Sequence, residues 1–410
     1  MFKISYLDTF IIVLMFALLP IDMINGFLLT NNVNLPISLG QLHKLAILFF
    51  LFIRFLFYPQ QLLIAVGTSF LLLIPTIYQL TTGFSEPFLF ADIIKVSKYL
   101  TPLYAFLFFA RYIKQAGKKE YILLLKFIKF SYVVLAGNIL IKLLGFGYPM
   151  YEFGDIGSKG FFYAGNEVSA LLIVISSILG IHIWKNFHWS RYLLFTLFTL
   201  FVGFTIGSKT GVLGLIIMFT LVPLKPLSFV VNIKKMISFG TAVLILIPIA
   251  LYSMWRAIQE TDLMIRITYF SQKFDLLTFI LSNRNVFFRD AWRAYLLKYQ
   301  GIEKVIGVGQ AKFEWLTNDR TVEIDVIDIF FAYGVIGVGL LIFLLSILLA
   351  QASRFSKTGN HPFANFVLLM CIILIAISST AGHVFSSGMA AIFIGLLFGL
   401  MYFKKEQLVV

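Results

Sequence analysis

Charged residues are scarce in this chain of 410 residues, and cysteine is almost absent. Asp, Glu, Lys and Arg together make up 13% of the sequence, whereas roughly a quarter of an average soluble domain is charged. The single cysteine, Cys371, lies within an apolar run, so neither an internal disulfide nor a thiolate metal site is expected. This composition excludes an ordinary soluble domain.

Motifs for nucleotides and metals are also missing. The sequence contains no GxxxxGK[ST] loop, no GxGxxG after a strand, no HExxH and no paired His and Cys ligands. We therefore expect no bound ATP, no cofactor and no required metal. The net charge of +14 does not indicate nucleic-acid binding, because many basic residues stand in short clusters between apolar runs, where they orient membrane helices.

Apolar runs of membrane length dominate the chain. Hydrophobic residues make up 60% of it and the mean hydropathy is +0.93. A helix needs about 20 mostly apolar residues to cross a bilayer, which predicts an all-α, polytopic membrane helix bundle of about 12 transmembrane helices. The predicted spans are residues 7–28, 42–57, 62–80, 88–110, 121–144, 167–184, 192–206, 211–224, 236–254, 329–349, 363–380 and 389–403. No small-residue cleavage site follows the first run, so it is expected to be a retained anchor helix.

The distribution of Lys and Arg predicts the orientation. Basic clusters such as Lys118-Lys119 and Lys404-Lys405 recur on one side, whereas the alternate loops 30–41 and 81–87 contain no Lys or Arg. By the positive-inside rule both termini are cytoplasmic in the plasma (inner) membrane. The predicted divisions are 1–254 with helices 1–9, a large external (periplasmic) loop at 255–322, and 323–410 with helices 10–12.

The external loop is predicted to be structured. Apolar residues over 263–281 and aromatic residues over 288–299 recur at spacings of three and four, which is one face of a helix. Amphipathic basic helices beside membrane spans lie in the interface, aromatic face down, or cap the bundle. Periodicity alone leaves both alternatives open.

Three acids, Glu323, Asp325 and Asp328, stand where this loop turns into an apolar, glycine-spaced run. A carboxylate entering a membrane-length helix is costly, which makes the three acids candidate functional residues. The alternative is that Asp325 caps the helix and Asp328 lies in its first turn, where the macrodipole favours negative charge. Capping leaves Glu323 unexplained.

Three cations are candidates for binding an anionic substrate. Lys209 lies at an external turn, where it holds a phosphate as a point charge or snorkels to the interface. Arg284 opens the second loop helix and Arg289 follows on it; an Arg suits bidentate contact with phosphate, and the alternative is a solvated loop residue.

Other polar positions lie near span ends. His383 suits a proton carrier or a donor to sugar or phosphate, or else a helix contact. Asn166 opens the sixth span, where a helix cap is the default. Asp92, Lys95 and Lys98 lie at i, i+3 and i+6 of the fourth span, which favours a buried ion pair, with lipid phosphate contact as the second interpretation.

Clustered external carboxylates and cations suit an anionic, membrane-borne and already activated substrate. A sugar linked to a lipid pyrophosphate fits this description, because the pyrophosphate needs cations and the attacking hydroxyl needs a base.

Six segments, taken in order, resemble those of the Wzy-type polysaccharide polymerases of the O-antigen ligase superfamily. They are GFFYAGNEVSALL, GSKTGVLG, LSNR followed by AW, GVG, EIDVIDIFFAYGVIGVG and AGHVF. The family usually has Arg where Lys209 stands. Ligases of the superfamily carry a His-Asn pair where this chain has its three acids, which favours a polymerase.

The resemblance implies a GT-C-like membrane fold and a metal-independent inverting glycosyltransferase. The donor would be a growing glycan on undecaprenyl pyrophosphate and the acceptor a lipid-linked repeat unit, with a flippase and a chain-length regulator as partners. We predict that Lys209 and Arg284, together with Arg289, offset the charge of the pyrophosphate. Glu323 or Asp325 would accept the proton of the acceptor, and Asp328 would orient it or share that role. His383 and Asn166 would be acceptor or phosphate contacts.

Two alternatives stay open. One is an O-antigen ligase that passes the finished glycan to another acceptor. The other is a transporter such as a lipid-linked oligosaccharide flippase, a class that often has charges near the bilayer midplane. Here the distinctive charges cluster on one side, which favours an enzyme.

Overall fold

Helices form nearly all of the described chain, because in an apolar surrounding the backbone N–H and C=O groups must satisfy one another. The computed structural model describes residues 4–33, 35, 37–82, 86–151, 155–223, 241, 275, 278, 281–380, 382 and 384–407. Within these residues there is no β-strand, only two isolated antiparallel bridges, at Tyr148–Gly160 and Tyr151–Ile156. The prediction of an all-helical architecture is confirmed.

In chain order the described helices are α1 (Ile4–Phe16), α2 (Leu18–Thr30), α3 (Leu39–Phe55), α4 (Pro59–Thr81), α5 (Glu86–Gln115), α6 (Lys118–Leu140), α7 (Gly165–Asn186), α8 (Trp189–Ile206), α9 (Lys209–Leu221), α10 (Arg284–Lys298), α11 (Glu303–Ile306), α12 (Gln310–Leu316), α13 (Asp325–Thr358), α14 (Ala364–Thr380) and α15 (Ala391–Gly399). Short 3₁₀ segments follow at Ile141–Leu144, Leu400–Tyr402 and Lys405–Gln407.

Helices of membrane-spanning length recur through the chain, so this is a multi-pass membrane protein. Every predicted span except 236–254 coincides with a helix or helix pair. That span, the periodic run 263–281 and His383 lie outside the described residues. Seven helices in the described part are long and apolar enough to cross a bilayer: Tyr6–Thr30, Pro59–Thr81, Leu89–Gln115, Lys118–Leu144, Glu167–Asn186, Trp189–Ile206 and Asp325–Thr358.

Helix α15 is an inner helix that packs along α5. Its residues are buried on all sides, which its uniformly apolar sequence permits. Glycines allow the close approach: a Cβ on Gly395 would lie 2.5 Å from the Ala105 Cβ, and one on Gly399 would lie 2.8 Å from the Phe109 Cβ. This close packing joins α15 to α5 along much of its length.

Helix α13 kinks at Gly334, where φ is 62° and ψ is −157°. The kink frees two carbonyl groups from the helical ladder, and both find donors. The Tyr299 hydroxyl donates to the Phe331 oxygen at 2.9 Å, and the Gly309 N–H donates to the Ala332 oxygen at 2.8 Å. A Cβ on Gly334 would lie 2.0 Å from the Val305 oxygen, so only glycine fits. The turn before α12 is thereby locked to the first half of α13.

A buried polar cluster ties the short helices α11 and α12 to α4. Lys312 donates to Glu303 and to Gln79, each at 2.7 Å, and Gln79 donates to Glu303 at 2.8 Å. Burial acts to raise the pKa of Glu303, but these hydrogen bonds and one from the Gln300 N–H hold it below its ordinary value. The cluster therefore contains an ionised carboxylate bound by a lysine.

Asp92 of α5 holds the first turn of α12. It accepts hydrogen bonds from the Ala311 N–H at 2.6 Å and from the Thr76 hydroxyl at 2.9 Å. The predicted partnership of Asp92 with the lysines on its own helix is thus replaced by a contact across helices. Together with the kink, it places α12 beside α5 and the start of α13.

Candidate functional site

A polar cavity of ≈ 370 Å³ lies where α5, α7, α12 and α13 meet. Its volume falls within the range of about 300–1,000 Å³ that is typical of ligand sites. The side chains at its wall include two lysines and three carboxylates. The lining residues are Lys95, Lys98, Tyr99, Met150, Ala164, Gly165, Glu167, Gln310, Glu314, Thr321, Asp328 and Ser386.

On one wall Lys95 forms an ion pair with Glu314. The Gln310 side chain donates to the other Glu314 oxygen at 2.9 Å, and the Tyr99 hydroxyl reaches the Gln310 oxygen at 3.4 Å. Both oxygens of Glu314 are therefore engaged. The ion pair that the sequence suggested for the fourth span exists for Lys95, with a partner on α12.

Asp328 lies on the cavity wall but is turned to the main chain of the loop before α13. Its Oδ1 accepts from the Val322 N–H at 2.8 Å and its Oδ2 accepts from the Glu323 N–H at 3.0 Å. Glu323 has a φ of 63°, a left-handed conformation uncommon for a residue with a side chain. These two hydrogen bonds hold that conformation.

Asp325 anchors the turn 384–386, which carries Ser386 to the cavity. Its Oδ2 accepts from the Ser378 hydroxyl at 2.8 Å and from the Val384 and Phe385 N–H groups at 3.0 Å each. Its Oδ1 accepts from the Ser386 hydroxyl at 2.7 Å. With four donors and 1% exposure, Asp325 fixes the conformation of the turn 384–386.

Arg284 is placed against the same acidic segment. Its Nε donates to the Glu323 main-chain oxygen at 3.0 Å and its Nη2 to the Glu323 carboxylate at 3.1 Å. On the other side, Gly382 packs so closely that a Cβ would lie 1.8 Å from the same main-chain oxygen. The structure therefore brings Arg284 together with the predicted acids.

Glu167, in the first turn of α7, holds the next part of the turn. Its Oε2 accepts from the Ser387 hydroxyl at 2.8 Å and from the Met389 N–H at 2.9 Å. In the sequence Glu167 stands within the segment GFFYAGNEVSALL and is not among the predicted site residues. The signal that could have distinguished it is a carboxylate at the start of a 22-residue, otherwise apolar helix.

The remaining predicted residues lie away from the cavity wall or beyond the described side chains. Lys209 is exposed at the first residue of α9, and Arg289 is exposed on α10; neither lines the cavity in the described structure. Asn166 lies in α7, but its side chain, like the whole of His383, lies outside the described residues.

A second ion pair adjoins the cavity. Lys44 of α3 contacts Asp22 of α2 at 2.8 Å, and the charges of Lys98 and Glu167 also act on Asp22. A Cβ on Gly388 would lie 3.6 Å from Lys44 Nζ and 3.8 Å from Glu167 Oε2. Charged side chains of α2, α3, α5 and α7 therefore approach one another at this end of the cavity.

None of the described side chains forms a group of three or more His, Cys, Asp or Glu that could hold a metal ion. The carboxylates of the site instead accept hydrogen bonds from the main chain, hydroxyls, an amide and cations.

Residues 270–406 match the model of a family described as O-antigen ligase like membrane protein. The matched part, about a third of the chain, contains α10 to α15 with Arg284 and the three predicted acids. It supports the resemblance to the superfamily but not to polymerases in particular. The match leaves out α1 to α9, which supply Lys95, Lys98 and Glu167. No curated protein and no solved structure matches this chain.

Proposed function

We propose that this protein is a polymerase that joins lipid-linked oligosaccharide repeat units by glycosyl transfer at the outer face of the plasma membrane. The observation that carries the proposal is the polar cavity within a membrane helix bundle. Its wall combines residues of the ligase-like part, Glu314 and Asp328, with residues of the preceding helices, Lys98 and Glu167.

The composition of the cavity wall supports a sugar as its ligand. Sugar hydroxyls both donate and accept hydrogen bonds, and the wall offers carboxylates, hydroxyls, an amide and ammonium groups within one space. A lipid tail, by contrast, would lie against the exposed apolar side chains around the bundle, such as Leu63 of α4 and Leu194 of α8.

The reaction we propose is an inverting displacement. An acceptor hydroxyl attacks the anomeric carbon of the donor sugar, and the bond to the lipid pyrophosphate breaks. Cations near the departing pyrophosphate lower the barrier, and we assign Arg284, Arg289 and Lys209 to this task. Two hydrogen bonds to Glu323 orient the Arg284 guanidinium, so the position of its N–H groups is well defined.

Asp328 and Asp325 have different tasks in this proposal. Asp328 is the acid of the three that lines the cavity, and we place it beside the acceptor sugar. Asp325 is a positioning residue, because it fixes the turn that carries Ser386 to the cavity. The proposed chemistry requires no cofactor, and a flippase and a chain-length regulator would act before and alongside it.

A ligase that transfers finished glycan to a different acceptor is a second candidate, favoured by the family match at residues 270–406. The three acids favour the polymerase, since ligases of the superfamily carry a His-Asn pair there. Both candidates share the donor and the cavity and differ in the acceptor.

The test combines a deletion strain with the purified protein. Incubation of the purified chain with lipid-linked repeat unit alone is expected to yield polymer. The deletion strain is expected to carry single repeat units on lipid carrier or surface. Long polymer stranded on the carrier would instead establish a ligase, and repeat units trapped inside the cell would establish a flippase.

A further inference from the structure

We infer that Glu167 is the general base that takes the proton from the acceptor hydroxyl, an inference that rests on the proposed glycosyl transfer. The cavity wall has three carboxylates, and they differ in how many of their oxygens are engaged. This difference identifies the group able to accept a proton from a ligand.

Glu314 and Asp328 have no oxygen without a donor. The two oxygens of Glu314 bind Lys95 and Gln310, and those of Asp328 bind the N–H groups of Val322 and Glu323. In Glu167 both donors, Ser387 and Met389, bind the same oxygen, Oε2. The Oε1 atom accepts no hydrogen bond from any residue that the structure describes, and it belongs to a side chain that lines the cavity.

The two donors to Oε2 also make Glu167 a precise base. They prevent rotation of the carboxylate, so that Oε1 keeps one position relative to the cavity. A base must lie within hydrogen-bond reach of the proton that it abstracts, and a fixed carboxylate satisfies this more often than a mobile one. The turn 384–389 is itself fixed by Asp325, which extends this rigidity to α13.

The two lysines of the cavity wall also differ in whether a carboxylate of the protein binds them, and this difference indicates that Lys98 contacts the ligand. Lys95 is paired with Glu314, whereas Lys98 forms no ion pair with any described carboxylate and lines the cavity. Lys98 and Glu167 both act electrostatically on Asp22, which places them in one region. We assign to Lys98 the task of contacting a pyrophosphate oxygen inside the cavity, in addition to the cations outside it.

The proposed step transfers the sugar from the pyrophosphate to the acceptor and moves one proton. The acceptor oxygen forms a bond to the anomeric carbon while its proton passes to Glu167 Oε1. The bond between that carbon and the pyrophosphate oxygen breaks, and its electron pair leaves with the pyrophosphate beside Lys98. The proton then returns to solvent and restores the carboxylate.

Three variants distinguish a general base at Glu167 from a purely structural role of this residue. Glu167→Gln keeps an oxygen that accepts from Ser387 and Met389 but removes the base. Ser387→Ala removes one of the two donors to Oε2 but leaves the base in place. Glu406→Gln is the matched control, because it makes the same chemical change in an exposed residue that does not line the cavity.

The experiment measures polymerisation by the full chain in nanodiscs with purified lipid-linked repeat unit, together with the melting temperature of each variant. We expect Glu167→Gln to lower kcat by a factor of about 10²–10⁴, with KM and melting temperature near wild type. Ser387→Ala, which loses one hydrogen bond to Glu167 but keeps the base, is expected to lower kcat by no more than about tenfold. Glu406→Gln is expected to keep kcat near wild type. Lys98→Gln is expected to lower kcat by a factor of about 10²–10³.

Equal losses in Glu167→Gln and Ser387→Ala, or a Glu167→Gln variant with wild-type kcat, would overturn the inference. If the wild type makes no polymer but transfers glycan to another acceptor, the polymerase proposal fails and the same variants test Glu167 in that transfer. If the wild type transfers no glycan to either acceptor, both fail.

Discussion

Four carboxylates in or near the site accept hydrogen bonds from main-chain N–H groups. Asp92, Glu167, Asp325 and Asp328 each accept at least one backbone N–H, and all four sit in or beside apolar helices. An unpaired buried N–H costs about 1–3 kcal/mol, so each carboxylate stabilises a segment that leaves the helical ladder. At this scale the residues of the site are also the residues that hold the site in shape.

Asp325 provides the sharpest test of that role. Asp325→Ala removes the acceptor for two N–H groups and two hydroxyls, and we expect it to lower the free energy of unfolding by about 3 kcal/mol or more. Thermal unfolding followed by tryptophan fluorescence would measure this. Asp290→Ala, an exposed position on α10, is the control and should stay within about 0.5 kcal/mol. Wild-type stability in Asp325→Ala would contradict the anchoring role.

Glu303 predicts how stability depends on pH. Its pKa is lower in the folded protein than the ordinary value of 4.5, so its contribution is present above that value. The contribution is lost as the pH falls through the lowered, folded pKa. We therefore expect Glu303→Gln to melt below wild type at neutral pH, with the difference shrinking as the pH drops beneath 4.5. A difference that grew in acid would contradict this assignment.

At the scale of elements, the predictable part of the fold is the set of apolar helices, because length and composition suffice to identify them. The Gly334 kink is not predictable in the same way, since AYGVIGVG within a long apolar run reads as continuous helix. Its cause lies in the turn at Val305–Gly309, which packs against it across the structure.

The kink predicts opposite effects of one substitution at two glycines of α13. Gly334→Ala places a Cβ 2.0 Å from the Val305 oxygen at a φ of 62°, and we expect a loss of more than about 2 kcal/mol. Gly339→Ala meets nothing within 4 Å, and we expect a gain of up to about 1 kcal/mol. Melting temperatures of the two variants compare them directly. Equal shifts in both would show that the kink is dispensable.

The candidate site was predictable only where its residues are close in sequence. Glu323, Asp325 and Asp328 stand together at a loop-to-helix boundary, and Arg284 was one of several loop cations. The Lys95–Glu314 pair joins residues 219 positions apart, and nothing local indicates it. In the sequence Glu167 looks like any acid in the first turn of a helix. Only the structure shows that one of its carboxylate oxygens binds two donors and the other binds none among the described residues.

At the scale of the whole molecule, the cavity is shared by the part of the chain that matches the family model and by helices that precede this part. The ligase-like third brings Glu314, Asp328 and Ser386, and α5 and α7 bring Lys98 and Glu167. A site assembled this way depends on the arrangement of all its helices in the membrane. The orientation predicted from Lys and Arg is therefore a premise of the proposed function.

Cysteine labelling tests that orientation. The native cysteine, Cys371, is 1% exposed, so we expect little labelling of the wild-type protein. Asp319 precedes α13 and Lys357 lies at its end, and both side chains are exposed. Because α13 is long and apolar enough to span the bilayer, we expect its two ends on opposite sides. We expect a membrane-impermeant maleimide to label Asp319→Cys in intact spheroplasts and Lys357→Cys only after permeabilisation. The reverse pattern would place the loop before α13 in the cytoplasm, away from an external acceptor. Labelling of both variants in intact spheroplasts would mean that α13 does not span the membrane.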